Sequence, residues 1–497
     1  MTITQPLEFR PPASILDAVR PLRLNSLALA AFVAALFAAS NAALAADESP
    51  LKPGTIIRKV VCPAHPEQSY ALYLPSSYAP SKRWPIVYVF DPAARGMIPT
   101  QLMKDAAEQY GYIIVTSNNS QNGPWKPELE AANAMWQDTH SRFSIDEQRV
   151  YMAGFSGGAR VASQLVQRCN CAQGVFMSGA GFSPDSPPAR EKTFAVFLTS
   201  GMLDFNYSEL VRLEPQLSSL GFPHFFYRFD GAHEWGPAPA WPQALAWMNL
   251  RAMKENRLSR DDAFIAAELQ RFTAAAQEIE KAGNPLYSAQ AYRQAAAAFD
   301  GLAPVDALRD RAAAIEKDPA YRNAEKRERD DLAQQSSLEG DILRVTAALR
   351  EPTADRVQIR DQAAQLIADL RERTTREKKE EKRRVLERAR RGIFAMMIES
   401  GEPLMDENDL TLAEIYLRLA AAARPEIPWP HISLAQCQLK MKHKKEALQS
   451  LQHAKDAGLK SQDLANLETQ IPELAALSSD PAFQKLVDNL QPTLAAQ

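Results

Sequence analysis

From about Thr55 to Met253 the chain alternates short, almost wholly apolar runs with amphipathic stretches. The runs read "SYALYLP", "WPIVYVF", "YIIVTSN", "RVYMAGF", "GVFMSGA", "FAVFLTSG" and "HFFYRF". Between them lie "QLMKDAAEQYG", "ELEAANAMWQDTHSRF", "GARVASQLVQRC" and "ELVRLEPQLSSLG", whose apolar positions recur at helical spacing. Runs that are apolar on both faces suit central parallel strands covered on both sides. Strand followed by helix, repeated, predicts an α/β class fold with a doubly wound, mostly parallel sheet.

After Asn256 the pattern changes. β-branched runs disappear, alanine and charge dominate, and a 3.6-residue period runs to the end, predicting an all-α region. Within it, "RERTTREKKEEKRRVLERARR" interleaves Glu with Arg and Lys at helical spacing, which reads as a solvated helix face laced with i,i+4 pairs. Ala413, Leu417 and Ala420 recur as Ala447, Leu451 and Ala454, a shift of 34 residues, with Pro425 closing the first copy and Leu459 standing where a second closing proline is expected. This resembles tetratricopeptide repeats; the alternative is a helical bundle with a chance period. The resulting division is 1–46 leader, 47–255 α/β domain, 256–391 helical region and 392–497 tetratricopeptide-like repeats.

Length agrees with more than one core, since 497 residues exceed what a single ordinary domain holds. A formal net charge of -3 with 24% charged residues argues against nucleic-acid binding through bulk charge. Near the N-terminus, Arg20 and Arg23 precede "LNSLALAAFVAALFAASNAALA", which ends in the small-residue spacing of a signal-peptidase site near Ala45. Export to the periplasm or beyond is expected. The apolar run approaches the ~20 residues of a membrane span, so an uncleaved anchor is the alternative and the only reading that brings in a membrane. Of the four cysteines, Cys62, Cys169, Cys171 and Cys437, none has paired CxxC spacing. In an oxidising compartment a bridge from Cys62 to Cys169 or Cys171 is expected, with free buried thiols as the alternative.

The chemistry concentrates at "RVYMAGFSGGAR", where a predicted strand meets a predicted helix at Gly154-Phe155-Ser156-Gly157-Gly158. In a nucleophile elbow the serine occupies a strained backbone conformation, and the residues two before and two after it must be small. Gly154 and Gly158 meet that demand. A serine needs a base, and the base an acid to orient it; in this topology they follow in the order Ser, acid, His, each after a later strand. Asp204 stands after "FAVFLTSG" and His233 after "HFFYRF". Asp230 is the rival acid, but it precedes His233 too closely to reach the ring from behind. His140 and His224 read as structural. Glu234 beside His233 lacks the second histidine of a zinc motif, so no metal and no cofactor is expected.

A developing oxyanion needs two N–H donors. Gly157, immediately after the nucleophile, should supply one. The other should come from "DPAARG" after the strand "WPIVYVF"; Pro92 has no N–H, which leaves Ala93, with Ala94 second. Arg95 reads as an anchor of that loop, the alternative being a contact to a substrate carboxylate. The link "GFSPDSPPAREKT" is too short for a lid domain, so the pocket is either open to large, even polymeric, substrates or covered by the helical half. Trp125 and Trp235 are candidates to line it.

With "GFSGG", "SGMLD", "GAHEW" and the closing "ALAWM", residues 55–250 resemble an α/β-hydrolase of the exported esterase type, similar to polyhydroxybutyrate depolymerases, feruloyl esterases and dienelactone hydrolases. The chain departs from that pattern in having "DPAARG" where many members place His-Gly. The resemblance implies a serine hydrolase that cleaves carboxylic esters through an acyl-enzyme. A peptidase would use the same three residues, and an interaction protein would use the helical repeats to bind a protein partner.

Overall fold

The computed structural model describes residues 51–190 and 194–461, together with 464, 467, 471–488 and 490; the leader expected at 1–46 lies outside the described residues. Its α/β part contains β1 (Ile56–Cys62), β2 (His65–Tyr73), β3 (Trp84–Phe90), α1 (Met97–Tyr110), β4 (Ile113–Ser117), α2 (Trp125–Arg142), β5 (Ile145–Phe155), α3 (Gly157–Cys169), β6 (Gly174–Ser178), β7 (Ala195–Gly201), α4 (Tyr207–Leu220), β8 (His224–Phe229) and α5 (Ala240–Lys254). The strands form one eight-stranded sheet in the order β1-β2-β4-β3-β5-β6-β7-β8. β2 runs antiparallel to both of its neighbours, and every pairing from β4 through to β8 is parallel. β3, β4, β6 and β7 are buried along their whole length, the expected result for apolar runs covered on both faces.

The helical half begins with α6 (Asp262–Lys281), α7 (Pro285–Phe299), α8 (Asp306–Lys317) and α9 (Pro319–Ala347). One continuous apolar cluster joins Met103 and Ala106 of α1, Phe176 and Phe197 of the sheet, Trp241 and Trp247 of α5, Phe272 of α6 and Phe299 of α7. Phe225 of β8 meets Phe272 edge-on at 5.9 Å between centroids. Residues 53–497 accordingly make one compact unit, and no break in packing marks 255/256. β8 is an edge strand whose outer side would otherwise leave backbone groups unpaired. Gln294 of α7 closes it, its carboxamide donating to the Phe226 carbonyl (3.2 Å) and accepting from the Phe226 N–H (2.9 Å).

The chain continues through α10 (Arg356–Arg376), α11 (Glu380–Asp406), α12 (Leu410–Ala423), α13 (Trp429–Lys440) and α14 (Lys444–Asp456). α11 runs unbroken through residue 391, where the sequence division was drawn. Ala413, Leu417 and Ala420 lie on α12, and Ala447, Leu451 and Ala454 on α14; all six are fully buried. The charged run of 371–391 forms its expected ion pairs, Arg376 with Glu372, Arg383 with Glu380, Arg390 and Arg391 with Glu387. It is not solvated all round, however: Val385, Leu386, Arg388 and Ala389 are buried.

The expected bridge from Cys62 is not formed. Cys62 is a free, buried thiol, and Cys169 pairs with Cys171. The reason is topological. Cys62 ends the edge strand β1, whereas Cys169 ends α3, the helix that follows β5, four strands away in the sheet order. Strands spaced ~4.8 Å apart put these positions far beyond the ~7 Å between Cα atoms that a disulfide spans. Among the described residues no helix is long and apolar enough to cross a membrane.

Candidate active site

Parallel strands bring their carboxyl ends to one side of the sheet, and ligands of such folds bind there. Phe155 ends β5, Gly201 ends β7 and Phe229 ends β8, so the loops carrying Ser156, Asp204 and His233 emerge together. Ser156 has φ 51° and ψ -120°, a backbone conformation that L-residues avoid and that a tight strand-to-helix turn imposes. Glycine is required on both flanks by backbone, not by side chains. A Cβ on Gly154 would lie 2.0 Å from the Gly158 carbonyl oxygen, and one on Gly158 would lie 2.1 Å from that of Phe90. The Ser156 N–H donates to the Ser178 carbonyl at 2.9 Å, fixing the turn to β6.

The three side chains form one hydrogen-bonded series. His233 Nε2 lies 2.9 Å from Ser156 Oγ, and His233 Nδ1 lies 2.9 Å from Asp204 Oδ1. Asp204 is fully buried, and its Oδ1 also accepts from the Asn206 N–H at 2.8 Å. Burial pushes the Asp204 carboxyl up, opposed by the hydrogen bond and charge of His233. An acceptor on the Nδ1 side selects the tautomer with its proton there, leaving Nε2 free to accept from a serine hydroxyl. The His233 ring is held between Phe205 at 4.2 Å and Phe155 at 4.7 Å. Asp230, the rival acid, is exposed and makes no hydrogen bond to His233.

The loop after β3 behaves differently from its sequence reading. The Ala93 N–H, expected as the second oxyanion donor, donates to Asp91 Oδ1 at 3.0 Å, and Ala93 is not among the residues around Ser156. Ala94, at φ 56°, gives its N–H to the Ser120 carbonyl at 2.8 Å. Arg95 holds Asp91 through both carboxylate oxygens, at 2.9 and 3.0 Å, and so anchors the loop. Trp235 donates to the other side of Asp91 at 2.8 Å and is buried, while Trp125 lies under Arg168. Neither tryptophan lines the Ser156 cavity, although Trp235 lines a neighbouring one together with Phe155 and His233. His140 stacks on Trp136 and His224 bonds the Phe222 carbonyl.

That cavity holds about 450 Å³ and has walls from both halves of the chain. Asn122, Gly157, Arg160, Phe205 and Glu209 come from the α/β part; Glu339 of α9 and Gly392, Met396 and Glu399 of α11 complete it. Arg160 and Glu209 pair at 2.9 Å, leaving little net charge on that side. Helical residues also grip the acid loop. Arg388 Nη1 donates to the Met202 carbonyl (3.2 Å), Gln335 Nε2 to the Phe205 carbonyl (3.0 Å), and Arg388 Nε to Gln335 Oε1 (3.0 Å). Asn122, Gln335, Glu339 and Arg388 were invisible as site residues in the sequence, because nothing local in a helical or polar stretch records contact with a distant loop. No group of residues suited to a metal ion occurs among the described residues.

No family model matches the chain, and no curated protein matches it. Solved structures do. The chain is similar to a ferulic acid esterase at 19% identity, over 36% of this chain and 91% of that one, with a TM-score of 0.32. It is similar to an S-formylglutathione hydrolase from Staphylococcus aureus at 13% identity (36% and 90% covered, TM-score 0.29), and to an esterase of Pyrobaculum calidifontis at 13% identity (44% and 92% covered, TM-score 0.33).

Proposed function

We propose that this chain is a serine hydrolase that cleaves carboxylic esters. The observation that carries the reading is the unbroken series Ser156 Oγ, His233 Nε2, His233 Nδ1, Asp204 Oδ1, each link 2.9 Å, with the serine on a strained turn that opens into a cavity. Ser156 attacks the ester carbonyl while His233 takes its proton. Asp204 holds the imidazole tautomer and stabilises the imidazolium. The Gly157 N–H, at the first position of α3 and so without an intrahelical acceptor, donates to the tetrahedral oxyanion. Collapse expels the alcohol, protonated by His233, and leaves an acyl-enzyme that water hydrolyses with the same histidine as base.

The helical half takes the place of a lid. Its residues wall the cavity, so the substrate is an ester whose acyl and alcohol groups fit about 450 Å³, within the range of small-molecule sites. The leader suits an exported enzyme, and the 34-residue recurrence on α12 and α14 suits tetratricopeptide-like hairpins that offer a surface to a protein partner. Incubation with a fluorophosphonate, followed by mass spectrometry, tests the central reading: the label belongs on Ser156, and Ser156→Ala should lose both label and esterase turnover while melting normally. Turnover by Ser156→Ala above a few per cent counts against it.

A further inference from the structure

The oxyanion site described so far has one donor, Gly157, while the two backbone amides expected to supply the other are spent elsewhere, that of Ala93 on Asp91 in its own loop and that of Ala94 on the Ser120 carbonyl. We propose that the side-chain amide of Asn122 is the second oxyanion donor. The inference rests on the serine-hydrolase reading above and names a further residue of that site.

Three observations converge. Asn122 lines the same cavity as Ser156 and Gly157. Its carboxamide lies directly against Gly157: a Cβ placed on that glycine would sit 1.9 Å from Asn122 Oδ1 and 3.7 Å from Nδ2. Rotation about the last side-chain bond exchanges the amide's oxygen and nitrogen in that position, so the N–H₂ group reaches the space beside the Gly157 N–H. This also accounts for a glycine the elbow does not need. Gly154 and Gly158 are forced by backbone atoms, whereas a side chain at 157 would press only on the tip of Asn122.

The loop that carries Asn122 is held in place before any substrate arrives. The Asn122 N–H donates to the Pro92 carbonyl at 2.7 Å. Downstream, the buried Glu128 of α2 reaches back to accept from Ser120 Oγ at 2.7 Å and from the Gln121 N–H at 2.8 Å. The carboxamide itself makes no hydrogen bond to the protein among the described residues, which leaves its donors for a ligand. A donor fixed at its base and unpaired at its tip is what electrostatic stabilisation of a developing charge requires. In the addition step the Ser156 Oγ–carbonyl carbon bond forms, the hydroxyl proton passes to His233 Nε2, and the carbonyl π pair moves onto oxygen. That oxygen then accepts from Gly157 N–H and Asn122 Nδ2–H, and no covalent bond of Asn122 changes.

The test uses the full chain with a p-nitrophenyl ester and a trifluoromethyl ketone, which captures the serine as an anionic hemiketal. Asn122→Leu keeps the bulk of the side chain and removes the donors; Asn122→Ala guards against a packing defect peculiar to leucine. Both should lower kcat about 100- to 1000-fold with KM changed little, and weaken the ketone by a similar factor, while the melting temperature stays put. Gly157→Ala should displace the carboxamide and cost about as much. In Asn122→Ala the added methyl has room, so the double variant should be no worse than either single one. Retention of wild-type kcat by both Asn122 variants, or losses that multiply in the double variant, overturns the assignment. If Ser156→Ala is inactive in the same assay, only the Asn122 inference falls; if Ser156→Ala is active, the hydrolase reading falls with it.

Discussion

Arg388, on a helix of the C-terminal half, donates to the carbonyl of Met202 two residues before Asp204, at 3.2 Å. Its guanidinium also lies over the Tyr207 ring at 4.8 Å and donates to Gln335, which in turn holds the Phe205 carbonyl. The acid loop is therefore clamped on both sides of Asp204 by residues more than 130 positions downstream. Arg388→Ala should leave the buried Gln335 Oε1 and the half-buried Met202 carbonyl without this donor and destabilise the fold by roughly 1–3 kcal/mol. It should also loosen the acid, lowering kcat by about 10- to 100-fold. Steady-state kinetics beside thermal melts check both, and an unchanged kcat in a folded variant would show that the loop holds itself.

The carboxylates near His233 are separable by substitution. Asp204→Asn should lower kcat by about 10⁴, as replacing a buried tautomer-fixing carboxylate does, and Asp230→Asn should change it less than threefold. Asp230 is exposed and touches neither ring nitrogen. A larger loss at Asp230 would reverse the assignment of the acid.

The alternation of strand and helix was legible, and Ser156, Asp204 and His233 could be proposed, because each signal is written locally. Ser156 sits close to glycines at a change of period from strand to helix, and Asp204 and His233 follow the later apolar runs "FAVFLTSG" and "HFFYRF". Ala93 misled because its amide is spent on Asp91, a side chain that folds back over its own loop; composition cannot show that closure. Arg388 misled in the opposite direction. Within a run of alternating charges it is indistinguishable from Arg383 or Arg391, yet it alone of these is fully buried against the acid loop. Cys62 failed on distance across the sheet, which depends on strand order and not on spacing along the chain.

The two glycines flanking the elbow should be the least replaceable positions nearby. Gly154→Ala and Gly158→Ala each press a methyl to within about 2 Å of a carbonyl oxygen of the backbone. Such contacts are relieved only by moving strands, so each should cost about 3 kcal/mol or more. Gly157→Ala meets a side chain and should melt within a few degrees of wild type. Differential melting of the three variants decides the matter, and equal losses would mean that the turn yields as a whole.

Burial pushes the Glu339 carboxyl up to about 7, against the hydrogen bond donated by Gln335 and the charges of Arg212 and Arg388. The unfolded chain releases this proton near 4.5, the folded chain only near 7. The folded state thus binds more protons between those values, and the contribution to stability, present at acid pH, is lost as pH rises through 7. Glu339→Gln should stabilise the fold at pH 8 by on the order of 1 kcal/mol, read as a higher melting temperature, and leave it unchanged near pH 4.5 relative to wild type. An equal shift at both values would assign the effect to packing.

Non-reducing peptide mapping should recover Cys169 joined to Cys171 and Cys62 as a free thiol after denaturation. A peptide linking Cys62 to either of the others would contradict the strand order, since it requires β1 to leave its edge position.

The glutamine that closes the last strand sets a timetable for synthesis. β8 leaves the ribosome ending at Phe229, but its cover, Gln294, follows 65 residues later (294 minus 229). At roughly 5–20 residues per second that is an interval of about 3–13 s in which a complete sheet presents a bare outer edge and an uncovered Phe225. The nascent protein is most adhesive after its last strand is made and before α6 and α7 arrive, so a chain halted in that window should need a holding chaperone that the finished chain does not.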